Sequence, residues 1–277
     1  MNPQDRKPIP LTEEEKKNPI SKYYTEQLAP PSNPEALKAI LAGPMDPKLA
    51  ITPYEIKKLL EPGYMEGENG YCVMEDGAGY LAVNNKFKGA SLDAIKWWFA
   101  WHTLEGLRYK IWNPYCHPSV AIADVDRAKI KNPDIPIEEK ISDVVHFAME
   151  DIGGGMSDVV IHFRPIEELG FTKEELDAAH AWVIGGYGLV EQREGPKGKS
   201  PAIMIHYYRE TEDGIESRTR FWFGYRIIRG IMAKVLPEGV RVPEFVPMGL
   251  ALHNVEEFSH LASFLPEIYK EYGDKPF

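Results

Sequence analysis

Five segments, 119–124, 144–150, 158–164, 202–209 and 219–226, carry the two-residue period of β-strands, and this limits what the chain can become more than any other feature. That period sends neighbouring side chains to opposite faces of a sheet. His146, Ala148 and Glu150 share one face, as do Val160, His162 and Arg164, and again Met204, His206 and Tyr208. Several polar side chains are therefore expected to point together. The C-terminal stretch has a different period. From Met248 to about Tyr272, Leu252, Val255, Phe258 or Ser259, and Ala262 recur at helical intervals, with Pro247 just ahead. A one-sided sheet and a long amphipathic helix can bury each other. The expected class is α+β, a curved antiparallel sheet around a long C-terminal helix.

Ahead of these strands the chain is less regular. Residues 1 to about 33 are rich in Pro, Lys, Glu and Asn and read as an arm that lies over other structure and orders on docking. Short helices are expected at 34–41, ended by Gly43, and at 52–60, where Thr52 can cap and Pro53 takes the first helical position. Residues 71–89 read as strands joined by tight turns at Gly77, Gly79 and the Asn84–Asn85 pair. Ser91 is placed to cap a helix running to Leu107, with Gly106 near its exit and its tryptophans in the core. The expected division is an arm with a small helical part over 1–68 and a main domain over 69–277.

Charge and motif content remove whole classes of function. With 42 acidic and 32 basic residues the formal charge is −10, which repels nucleic acid. No apolar run reaches the roughly 18–20 residues needed to cross a bilayer. Cys72 and Cys116 are the only cysteines, too few for a disulfide framework, and no leader pattern opens the chain, so a cytoplasmic location is expected. The string at 195–200, GPKGKS, lacks the first glycine of a phosphate loop, which would fall at Arg193, and reads as a hairpin turn. Gly153 to Gly155 and the Gly185, Gly186, Gly188 group lack dinucleotide-binding spacing and read as loop or bulge glycines.

Three places could carry chemistry. His253 and Glu257 lie four apart on the expected last helix, where they can present an imidazole and a carboxylate to one ion or form a surface pair. His260 extends the same face. His117 sits in the loop WNPYCHP near Arg108, Tyr109, Trp112, Asn113 and Tyr115, free to reach inward or to be satisfied by backbone. Glu150 ends the apolar run 144–149 and meets either solvent or a cation.

The run WWFAWH, five residues, then RYKIWNPYCHP, together with the strand ending in Glu150, FWFGY at 221–225 and the His253–Glu257 pair, resembles the family of phloretin hydrolase and 2,4-diacetylphloroglucinol hydrolase over most of residues 70–265. The resemblance implies a helix-grip domain of the Bet v 1 type and a homodimer. It also implies zinc-dependent cleavage of the bond between a phloroglucinol ring and an acyl carbon. Carried over by motif, the metal ligands are His117, Glu150, His253 and Glu257. Such a set suits zinc, while iron, cobalt or manganese could also occupy it. Tyr109 matches a position that meets ring hydroxyls, and His206 and Tyr225 are looser candidates for proton transfer and hydroxyl recognition. In this chemistry the ring must leave as a carbanion equivalent, which its protonated, ketonic form makes tolerable. No Gly-x-Ser-x-Gly elbow is present, so metal-activated water is the coherent nucleophile.

Val120 stands three residues past His117, where the diacetyl branch is expected to carry an amide. An apolar residue there suits an arylpropanoyl tail and favours phloretin over 2,4-diacetylphloroglucinol as the aromatic ketone substrate. Two other readings stand beside this one. A non-catalytic helix-grip carrier would use the same aromatics without a metal, and a decarboxylase or β-diketone hydrolase would keep the metal and change the reaction.

Overall fold

The computed structural model describes residues 6–194 and 198–277. Residues 195–197 of the GPKGKS string lie outside the described residues, as do the first five of the arm. In chain order the elements are α1 (Pro34–Leu41), β1 (Gly70–Val73), β2 (Gly79–Lys88), α2 (Leu92–Trp101), α3 (Gly106–Trp112), β3 (Ser119–Ala121), α4 (Asp124–Lys131), β4 (Val145–Asp151) and β5 (Met156–Phe163). There follow α5 (Lys173–Ala178), β6 (Ala181–Gln192), β7 (Ser200–Thr211), β8 (Gly214–Phe223), β9 (Tyr225–Ile228), β10 (Ile231–Lys234) and α6 (Phe245–Tyr272). Eight strands make one antiparallel sheet in the order β1-β2-β8-β7-β6-β5-β4-β3, and β9 and β10 form a separate hairpin.

The two faces of the sheet bury different material. The inner face carries Val83 and Phe87 of β2, Met204 and Tyr208 of β7, and Trp182 and Ile184 of β6 against α2, α3 and α6. Buried Val255, Phe258, Leu261, Leu265 and Ile268 follow helical spacing along α6 and supply its apolar stripe. The outer face, with Tyr80, Ile203, Ile205, Tyr207 and Trp222, is covered by a 3-10 helix (Pro53–Leu60), by α5 and by the β9–β10 hairpin. Coverage on both sides explains why β7 and β8 are buried along most of their length.

Polar side chains fasten this cover to β8. The Glu216 carboxylate accepts from Lys86, Asn84, Arg209 and Tyr64. Arg218 donates to both oxygens of Glu68, and Arg220 lies 3.1 Å from the same carboxylate. Glu216, Arg218 and Arg220 are each no more than 1% exposed, so their charges are matched inside the protein rather than by water.

Several expectations need correction. The strand β6, twelve residues long, runs through the glycines read as a loop. A Cβ at Gly185 would lie 2.4 Å from the Met204 carbonyl oxygen and one at Gly186 would lie 1.9 Å from that of His162, so close strand approach requires glycine there. The Asn84–Asn85 pair is interior to β2, where Asn84 bonds Glu216 and Asn85 bonds Asn254 of α6; the turn is at Glu75–Asp76. The helix expected to reach Leu107 stops at Trp101, and Gly106 opens α3. Carbonyls at this break are taken up by side chains: His102 Nδ1 donates to Trp98 O and the Arg108 guanidinium to Trp101 O. Pro247 is inside the first turn of α6 rather than ahead of it, and α4 and α5 are additional to the expected helices.

The arm lies docked. Ile9 N donates to Pro114 O, Tyr115 Oη to Glu26 O, Ala29 N to His260 Nδ1 and Ser32 N to Ser259 Oγ. His260 is thereby spent on holding the arm. Among the described residues, no helix is long and apolar enough to cross a membrane.

Candidate metal centre and its pocket

Two elements bring three candidate ligands together. One turn of α6 separates His253 from Glu257 and sets His253 Nε2 3.6 Å from Glu257 Oε2. The loop after α3 brings His117 Nε2 to 3.4 Å from the same oxygen. One donor atom from each of the three lies within 4.8 Å of the others.

The loop is held to the helix at several points. Asn113 Oδ1 accepts from the backbone of Tyr115 and Cys116, while its Nδ2 donates to Glu256 of α6. Trp112 Nε1 donates to the Glu257 carbonyl, and the Tyr109 ring stacks on His117 at 4.2 Å between centroids. From the arm, the Arg6 guanidinium donates to both oxygens of Glu256 and to Cys116 Sγ, so it ties down the sequence neighbours of two ligands.

The electrostatics of the site suit a cation. Burial drives the His117 imidazole well below its usual range, with His253 adding to the effect, and lowers His253 to about 4. Both are neutral at pH 7 and keep lone pairs. His117 Nε2 and both ring nitrogens of His253 are buried without a hydrogen-bond partner. Burial, and then the neighbouring Glu150, push Glu257 well above the ordinary carboxylate range; burial raises Glu150 to about 7 against the opposing bond from Tyr109. Unpaired imidazole nitrogens facing two reluctant carboxyls are expensive for a protein to bury alone. A divalent ion would satisfy them together, and two imidazoles with one or two carboxylates match the donors zinc accepts. The residues fit such an ion.

Glu150 stands beside this cluster. It is the last inward position of β4, and the Tyr109 hydroxyl donates to its Oε1. The group that closes within 4.8 Å comprises only the other three.

From these carboxyls a pocket extends under the sheet, lined by Glu150, His253 and Glu257 at one end and by Phe99, His102, His146, Phe163, Met204, His206, Phe221 and Phe258 beyond. Tyr109 lines it as well. His206 is lodged near Phe221 and Phe258 with Nδ1 2.9 Å from Thr219 Oγ1, and burial lowers it to about 3.

Tyr225 is not part of this pocket. It belongs to β9 on the outer side of the sheet, where its hydroxyl donates to Asp76 Oδ2. Of the polar faces read from the strands, His146, Glu150 and His206 point inward. His162 instead stacks on Tyr187, and Arg164 pairs with Asp143 and Glu168. Val120 pairs with Ala148 in the inner core and is not among the pocket-lining residues. His102 lines the pocket but carries no sequence signal that separates it from its aromatic helix.

Comparison with known proteins places this geometry in context. Residues 51–270 match the family model described as DAPG hydrolase PhiG domain. Phloretin hydrolase of Eubacterium ramulus is 34% identical over 271 residues, covering 96% of this chain and 94% of that protein. A 2,4-diacetylphloroglucinol hydrolase of Pseudomonas protegens is 28% identical, covering 92% of this chain and 85% of its own. Another from Pseudomonas sp. is also 28% identical, with 92% and 88% covered.

Proposed function

This chain belongs to the DAPG hydrolase family, and from that membership we propose that it is a metal-dependent hydrolase of the bond between a phloroglucinol ring and an acyl carbon. The observation that carries the metal dependence is the convergence of His117, His253 and Glu257 within 4.8 Å at the end of an apolar pocket. Glu150 is the fourth donor in this reading, and zinc is the ion. The strand order, with α6 across the inner face, is read as a helix-grip domain of the Bet v 1 type.

The substrate is read as phloretin, with 2,4-diacetylphloroglucinol as the other member of the class to be tried. Hydrolysis adds the hydroxyl of water to the acyl carbon and its remaining proton to the ring carbon; phloretin then yields phloroglucinol and 3-(4-hydroxyphenyl)propanoic acid. When bound, the ion supplies Lewis acidity, polarising an acyl oxygen and making water a stronger acid. The Tyr109 hydroxyl, which donates to the Glu150 carboxylate beside the ion's seat, can hold or pass a proton to the ring carbon. His206, kept neutral and oriented by Thr219, offers a hydrogen bond to a ring hydroxyl. The surrounding Phe99, Phe221 and Phe258 side chains exclude bulk water from the ketone.

Incubation of the zinc-loaded protein with phloretin and with 2,4-diacetylphloroglucinol, with and without chelator, tests the reading by chromatographic detection of the ring product and the released acid. Cleavage of at least one, lost on chelation, is expected. Failure to cleave either by metal-loaded protein refutes it.

A further inference from the structure

The pocket has a polar far end that the reaction at the carboxyls does not use. His146 is 3% exposed, lines the pocket, and leaves Nε2 buried without a hydrogen-bond partner. Its ring sits 4.7 Å from Phe163 and 5.8 Å from His102. Burial, with His102 beside it, keeps the imidazole neutral, so it can either donate or accept a hydrogen bond. The neighbouring His102 has its Nδ1 proton committed to Trp98 O, which leaves its own Nε2 an acceptor.

The path from the carboxyls to His146 is measured by the strand that carries both ends. His146 and Glu150 are inward residues of β4 four positions apart, about 13 Å along a strand. Across the sheet, His146 pairs with Ile161, Ile161 with Gly188 and Gly188 with Ala202, a row whose last two members are nearly without side chains. A Cβ at Gly188 would meet nothing within 4 Å, so the floor of the pocket is open there.

We propose that His146 is a specificity-determining residue that binds a hydroxyl at the tip of an arylalkanoyl substituent, selecting ketones with a phenolic tail. The proposal rests on the reading of the protein as an acylphloroglucinol hydrolase and names the part of the substrate it selects. The phenolic oxygen of a 4-hydroxyphenylpropanoyl group lies roughly 8 Å from its acyl carbon by ordinary bond lengths. With the acyl carbon roughly 3 Å from the Glu150 carboxyl, that oxygen comes within about 2–3 Å of the depth of His146, a hydrogen-bond length. An acetyl group ends about 1.5 Å from its acyl carbon and does not approach it. A buried imidazole built to bond a hydroxyl discriminates strongly against the analogue lacking it, because the histidine is then left unpaired.

The test uses the zinc-loaded full chain with phloretin and with its analogue lacking the hydroxyl on the propanoyl ring. Wild type is expected to favour phloretin by about tenfold or more in kcat/KM. His146→Leu is expected to abolish that preference, lowering phloretin turnover about 10–100-fold while leaving the analogue within about twofold, and His146→Gln to restore part of it. Equal use of the two substrates by wild type overturns the proposal whether or not the variants fold, as does a His146→Leu loss of the same size on both. If wild type cleaves neither of these nor the diacetyl compound, the hydrolase reading fails and the proposal with it. Cleavage without discrimination overturns the role of His146 alone.

Discussion

Replacing Glu150 by Gln should make the metal-free protein more stable at alkaline pH. The Glu150 carboxyl ionises near its ordinary 4.5 in the unfolded chain and only at about 7 in the folded protein, because burial opposes its charge. Between those values the native state holds a proton that the unfolded chain has released, so stability falls as pH rises from about 4.5 to about 7 and is level above that. At about 1.4 kcal/mol per pH unit, the gap amounts to about 3 kcal/mol lost at pH 8. Glutamine has no proton to lose, and its side-chain oxygen can still accept the Tyr109 hydroxyl. The assay is thermal unfolding of wild type and Glu150→Gln in excess chelator at pH 5, 6, 7 and 8. The curves should coincide near pH 5 and separate toward pH 8, where the variant melts higher by on the order of 5–10 °C. Groups away from Glu150 cancel in the difference, while Glu257, relieved of its neighbour's charge, shifts it in the same direction. Added zinc should reverse the ranking, since an ion bound only by the native state stabilises by mass action and the variant has lost a donor. Equal pH dependence in the two proteins, or a variant less stable than wild type at pH 8 in chelator, would refute the reasoning.

Other tests address the rest of the molecule. His117→Ala and Glu257→Ala should each lose zinc on gel filtration and most activity on any acylphloroglucinol; near-normal turnover in either would remove that residue from the ligand set. Gly188→Leu should fill the open floor of the pocket and lower phloretin kcat/KM at least about tenfold, while a smaller acetyl ketone still turns over; an unchanged phloretin KM counts against the pocket as its binding site. Glu68→Ala should strand Arg218 and Arg220 without their buried partner and cost about 3–5 kcal/mol in urea unfolding, and a loss below about 1 kcal/mol would mean that water replaces the carboxylate. For Glu216, burial favours the neutral form, but bonds from Lys86, Asn84, Arg209 and Tyr64 prevail and hold it down to about 2. Its contribution is complete above the ordinary value of 4.5 and is lost as pH falls through about 2, so Glu216→Gln should flatten the acid limb of a stability profile.

The parts of the site that were legible in the sequence are those with a local geometric rule behind them. His253 and Glu257 had to share a face once α6 was recognised, because one helical turn decides it. His117 had no such rule: the loop is placed by Asn113, Trp112 and Arg6 reaching residues of α6 more than 140 positions away in sequence. Tyr225 shows how one residue changes a face. In a single strand over 219–226 it would share a face with Phe221 and Phe223, which line the pocket. Gly224, at φ 90°, ends β8 and starts β9, and the tyrosine leaves on the outer side. β6 was lost to its glycines, which mark close strand approach at Gly185 and Gly186 and open space at Gly188, conditions only the neighbouring strands reveal. The α5 capping box, Thr172 with Glu175, was a local signal open to reading.

The position of α6 in the chain has a consequence for assembly. It follows every strand of the sheet, contributes His253 and Glu257 to the cluster, and supplies Glu256, to which Arg6 is bonded across 250 residues of sequence. Until this helix docks, the inner aromatic face lacks its cover and the cluster lacks two of its three converging donors, His253 and Glu257. Contacts of such long sequence separation form slowly, since the closure entropy is spent before they reward it. Assembly of the His117, His253 and Glu257 cluster and burial of the apolar core are thereby joined in one step of folding, so an ion held there would be held only by the folded chain.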